Sequence, residues 1–155
     1  MTKSQRRTVF AARICFVLYL CFLVYILFLM DERSNTYHQY NLIPFKSIRM
    51  FFEYYFIHHD FSFEYWFTNV VGNILLFLPF GILLPVILTH RLGALRFLLA
   101  SLFLAIAIEL IQYYTGLGEL DIDDVILNVL GAMIGYWLIT HIGTHLSHHH
   151  HPKRK

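Results

Sequence analysis

Two amides four residues apart, Asn69 and Asn73, interrupt a stretch that is otherwise apolar, as do Glu109 and Gln112, three apart, in a later one. A run of acids follows, Asp121, Asp123 and Asp124, with Asn128 one turn beyond Asp124. At these spacings Asn69 and Asn73 share one face of a helix, as do Glu109 and Gln112. Carboxylates and amide oxygens together suit a hard cation, or a polar headgroup bearing an amine or sugar hydroxyls. Glu109 paired with one of the aspartates is chemically capable of acid–base work. No serine, cysteine or histidine nucleophile accompanies them in the halves of those stretches that hold them. The reading therefore assigns no catalytic residue and requires no cofactor, and a divalent cation at the acidic cluster is the one metal these groups suggest.

The elements that must carry these residues follow from composition. The chain has 155 residues, 57% hydrophobic and only 14% charged, against about 45–50% and about 25% in an ordinary soluble domain. The apolar residues fall into four blocks, Val9 to Met30, Asn69 to Thr89, Phe97 to Leu117 and Val125 to Gly143. Each is long enough, as a helix, to cross a hydrocarbon core about 30 Å thick. Lys3, Arg6 and Arg7 precede the first block as in a secretory signal. Its apolar core is too long for one and no small-x-small cleavage site follows, so it reads as a retained anchor with Arg13 snorkelling. Cys15 and Cys21, six apart within it, form neither a disulfide nor a metal pair. The expectation is a single all-α domain over 1–155, a four-helix transmembrane bundle.

Orientation is set by lysine and arginine. Lys3, Arg6, Arg7 and Arg13, then Arg91 and Arg96, then Lys153, Arg154 and Lys155 occupy the three segments that alternate spans would place on one side. Both termini are thus expected in the cytoplasm, with 144–155 a polar tail whose His148–His151 run has no helical metal spacing. Residues 31–68 hold five acids, and the turn 116–124 holds four acids and no base; both are expected outside. Residues 45–67 contain 11 aromatics, which suits an interfacial segment between the first two helices or a lid packed on the bundle. The net charge of +2 argues against nucleic acid as a partner.

With that topology Asn69, Asn73, Glu109, Gln112, Asp121, Asp124 and Asn128 lie at one depth, roughly the outer third of the membrane. Polar groups within spans are expensive and usually face a cavity or another helix, so a shared outward-facing pocket is expected. Pro79 removes a helix hydrogen bond and should bend the second span, while Gly81 admits a close neighbour. Gly131 and Gly135 form GxxxG, fit for dimerisation or for packing within the chain. Asp121 or Asp123 is also placed to cap the fourth helix.

Three blocks give the chain a family resemblance: Asn41-Leu-Ile-Pro-Phe45; Asn69 through Asn73 and Pro79 to Gly81; and Glu109-Leu-Ile-Gln112 followed by Asp121 through Asp124, Asn128 and Gly131. Over about residues 41–136 the chain resembles the VanZ-like family of small membrane proteins. Many members carry an arginine shortly before the aspartates, where this chain has Gly118 and Glu119. The resemblance implies a multi-pass protein of the bacterial cytoplasmic membrane, in a family named for a member associated with teicoplanin resistance. It implies membrane lipids, and a lipid-linked cell-wall precursor or lipoglycopeptide, as partners, and leaves the oligomeric state open. The function expected is non-enzymatic, affecting drug susceptibility through the pocket. The alternatives are an intramembrane carboxylate-dependent enzyme on a lipid-linked substrate, or a helper subunit of a larger complex.

Overall fold

A computed structural model describes residues 2–29, 39–53, 56, 63–88 and 92–148. The acids of 31–38, Arg91, Tyr54, Tyr55 and 57–62 of the aromatic segment, and the tail from 149 with its last histidines and terminal bases lie outside the described residues. The element order is α1 (Lys3–Phe28), β1 (Tyr40–Asn41), α2 (Lys46–Glu53), α3 (Phe63–Ile87), α4 (Ala94–Thr115), β2 (Leu120–Asp121) and α5 (Ile122–His148). Four helices are long and apolar enough to cross a membrane: α1, α3 from Phe67, α4, and α5 as far as His141. Their outward faces carry large apolar side chains such as Leu18, Leu99 and Phe103, the last 77% exposed. In water that surface would be an aggregation liability, whereas hydrocarbon accommodates it. The molecule is a multi-pass membrane protein built as a helical bundle.

Local chemistry sets the helix ends. Thr2 and Gln5 form a capping box, the Thr2 hydroxyl accepting from Gln5 N at 3.2 Å and the Gln5 side chain accepting from Thr2 N at 2.8 Å. Two orphan donors are satisfied there, so α1 starts at Lys3, before the apolar block itself. At the other extreme α4 stops at Thr115, because Gly116 adopts a left-handed φ of 70°. The amides of Gly116 and Leu117 then return to the carbonyls of Tyr113 and Gln112, a Schellman ending. Asp121 caps α5, its Oδ1 accepting from Asp123 N at 2.8 Å. With no proline before Pro152, α5 continues to His148, into the segment read as tail.

The bundle is organised around the α3–α5 contact. A Cβ at Gly131 would overlap the Ile74 carbonyl oxygen, one at Gly135 the Leu78 oxygen, and one at Gly81 the Ala132 oxygen. Backbone therefore lies directly on backbone, and the GxxxG face is used within the chain. Proline does not interrupt α3, which remains helical through Pro79 and Pro85. The core comprises Tyr19, Leu23, Phe77, Phe80, Phe97, Ile108 and Ala132. An aromatic column crosses the bundle from Phe16 to Phe80 (6.2 Å between centroids), Phe80 to Phe97 (5.9 Å) and Phe97 to Tyr136 (4.6 Å). Its hydroxyls are satisfied at the edges: Tyr136 donates to Leu92 O at 2.7 Å, and Tyr19, beside Phe16, donates to Leu76 O at 2.9 Å. Cys15 and Cys21 are both exposed on α1.

One feature lies beyond the helical pattern. β1 and β2 pair in parallel, Tyr40 with Leu120 and Asn41 with Asp121, and Leu120 N donates to Gln39 O at 3.1 Å. This short clasp joins the two acid-rich segments at one end of the bundle.

Candidate functional site

The polar residues within and beside the spans resolve into two networks that meet at the start of α5. In the first, Asn73 donates through Nδ2 to Asp124 Oδ1 at 2.7 Å and, more weakly, to Asn69 Oδ1 at 3.4 Å. Asn69 and Asn73 stack one turn apart on α3, and Asp124 reaches them from the first turn of α5, where the helix dipole favours an anion. These amides border a cleft of about 540 Å³ between α1, α3 and α4, with walls that include Phe22, Ile26, Leu75 and Leu76. Thr68 and Gln112 are its other polar lining groups. Gln112 Nε2 donates to Leu27 O at 3.2 Å, satisfying one of the carbonyls left open at the end of α1. It thereby ties the end of α4 to the end of α1 beside the cleft.

The second network is the clasp. Glu109 is 2% exposed and accepts from Asp121 N at 3.0 Å. Asp121 Oδ1 accepts from Asn41 Nδ2 at 2.9 Å as well as from Asp123 N. The Asn41 oxygen takes Ile43 N at 3.3 Å, and Asp123 Oδ1 takes Phe45 N. Phe45 has a φ of 62°, unusual for a bulky residue, and its amide is held there by the buried Asp123. Burial pushes the Asp121 carboxyl above its ordinary range, and the Asp123 charge adds to this; the Asp123 amide, the Asn41 amide and Lys46 pull the other way.

The seven expected pocket residues are thus divided. Asn69, Asn73 and Gln112 line the cleft, with Asp124 bonded behind them, whereas Glu109 and Asp121 serve the clasp. Asn128 is 1% exposed and its Oδ1 has no hydrogen-bond partner among the described residues. It shares a face of α5 with Asp124, Gly131 and Gly135, the face turned to α3. Among the described residues no three of His, Cys, Asp and Glu are grouped to hold a metal ion. Asn41 sits in a sequence motif that by itself assigns it no site role. The α1 wall of the cleft has no marker in the sequence either, since Phe22, Ile26 and Leu27 are indistinguishable there from lipid-facing neighbours.

The sequence model of the VanZ/LLP1 family matches residues 16–143. Among curated proteins, Protein VanZ of Enterococcus faecium is 36% identical over 69 residues, which are 44% of this chain and 42% of that protein. The chain therefore spans about two-fifths of the length of that relative. No solved structure matches it.

Proposed function

The chain belongs to the VanZ/LLP1 family, and from that premise we propose that it is a non-enzymatic factor that changes susceptibility to teicoplanin-like glycopeptides through an outward-facing polar pocket. The observation that carries this reading is the Asn69–Asn73–Asp124 chain at the edge of an open cleft. Polar side chains at membrane depth are held in place here rather than buried away, as a ligand site requires. Lipid-linked cell-wall precursors and lipoglycopeptides combine apolar tails with polar groups, which fits a cleft of mixed lining.

The topology that makes the pocket outward has both termini in the cytoplasm. It rests on the basic residues at Lys3 to Arg13, Arg91 and Arg96, and Lys153 to Lys155. The clasp supports it, because β1 and β2 draw both acid-rich segments to a single end of the bundle. The test is expression in a sensitive bacterium, with inhibitory concentrations of teicoplanin and vancomycin measured side by side. Teicoplanin tolerance should rise more than vancomycin tolerance. No change for any lipoglycopeptide, with the protein verified in the membrane, would sink the reading.

The enzymatic alternative draws on Glu109 and Asp121, which are neighbours through the Asp121 amide. That contact is equally what a structural clasp needs. Glu109→Gln separates the two.

A further inference from the structure

We propose that the cleft between α1, α3 and α4 binds a single acyl chain whose head is neutral and both donates and accepts hydrogen bonds, the chemistry of an N-acyl amide. The proposal deepens the pocket reading above by naming the ligand chemistry. It starts from Asp124. The Asn73 amide nitrogen donates to Asp124 Oδ1 at 2.7 Å, the orientation a carboxylate acceptor calls for. That fixes the flip of the Asn73 amide. The other Asn73 N–H goes to Asn69 Oδ1, which fixes the second amide in turn. Asn73 Oδ1 and Asn69 Nδ2 are left with no protein partner among the described residues. One acceptor and one donor, a helical turn apart, thus border the cleft.

The remaining lining sets the rest of the ligand. No charged side chain lines the cleft among the described residues, and Phe22, Ile26, Leu27, Leu75 and Leu76 make its walls apolar. A phosphate or ammonium head would lose its hydration there without a counter-charge in contact. A secondary amide presents one N–H and one carbonyl oxygen, which matches the free pair. The volume of about 540 Å³ lies within the range that encloses a drug-sized ligand.

The experiment uses the full chain in phosphatidylcholine nanodiscs and two photo-crosslinking probes with the same diazirine-tagged chain, an N-acyl ethanolamide and the matching 2-hydroxyethyl ester. The ethanolamide should label the α1 and α3 lining residues about fivefold more than the ester, the net worth of one hydrogen bond. Gly72 lines the cleft and a Cβ there meets nothing within 4 Å, so Gly72→Phe starts a bulky side chain in open space at the cleft and should abolish the selective label. Asp124→Asn offers Asn73 either a donor or an acceptor, and should shrink the preference. Unlabelled N-acyl ethanolamide and teicoplanin serve as competitors. Displacement by the first alone points to a membrane lipid, and displacement by both adds the antibiotic as a source. Equal labelling by the two probes, label scattered over the outer faces, or label unchanged in Gly72→Phe would overturn the proposal. Selective labelling without any change in drug susceptibility would overturn the functional reading alone, and altered susceptibility without selective labelling would overturn this one alone.

Discussion

Asn73 of α3 and Asp124 of α5 are joined at 2.7 Å across 51 residues of sequence, immediately above the point where Gly131 brings the same two helices into backbone contact. Close approach and polar contact thus reinforce each other along one helix pair. The glycines let the backbones meet, and the meeting puts a carboxylate within reach of an amide that borders the cleft. Asp124→Ala should remove an acceptor and leave a half-buried amide N–H unpaired, costing about 1–3 kcal/mol. Thermal unfolding in detergent would register this as a lowered midpoint, and teicoplanin tolerance should fall with it.

The glycines themselves separate by position. Gly131→Leu or Gly135→Leu forces a side chain into the α3 backbone and should destabilise by about 1–3 kcal/mol or more. Gly72→Ala enters open space and, by relieving glycine's helix penalty, should be neutral or stabilising by up to about 1 kcal/mol. Unfolding midpoints of the three variants, measured together, check the contrast. A similar loss in all three would refute the assignment of the GxxxG face to the α3 contact.

The Asp121 carboxyl has a pKa above its ordinary range in the folded protein, chiefly through burial. The folded state therefore binds this proton more tightly than the unfolded state. Its contribution to stability falls as pH rises through the window from the ordinary value to the raised one, and is regained on acidification. Asp121→Asn keeps an oxygen to accept from Asn41 and Asp123 while removing the charge. That variant should be at least as stable at neutral pH and should lack the Asp121 part of the pH dependence. Unfolding midpoints from neutral pH into the ordinary carboxylate range provide the measurement.

Glu109→Gln retains an oxygen that can accept from Asp121 N. Under the non-enzymatic reading its fold and its effect on teicoplanin tolerance should both be preserved. A folded Glu109→Gln protein with no effect on tolerance would favour acid–base or metal chemistry at this position instead.

Tyr19→Phe deletes the hydroxyl that donates to Leu76 O and keeps the ring within the aromatic column. The expected cost is about 0.6 kcal/mol, typical of one interhelical hydrogen bond in a membrane bundle. A shift of the unfolding midpoint far larger than that would mean the hydroxyl anchors α1 against α3 as a whole.

The four apolar blocks were legible because bilayer thickness imposes a length that composition alone can meet. Gly131 and Gly135 were legible as a close approach, but a spacing does not name its partner, and α3 was one of several that fitted. Asn41 shows where sequence reasoning stopped. Its strand is two residues long and pairs across 80 positions, too short for any periodicity to reveal. Likewise, Glu109 and Asp124 both announced themselves as acids inside or beside spans. Only the α4–β2 and α3–α5 contacts assign one to the clasp and the other to the cleft. The α1 wall had no marker, since a leucine facing a cleft reads as one facing lipid.

The clasp also bears on how the chain is made. Tyr40 and Asn41 emerge early in synthesis, yet their partners Leu120 and Asp121 emerge only after the second and third spans are complete. The Asn41–Asp121 bond cannot form before then, and it places the N-cap of the last helix at the same moment. Closure of this circuit is thus a late step of biogenesis that reports on every span before it. A chain stalled or misinserted at α3 or α4 would be left with Asn41 and Asp121 apart.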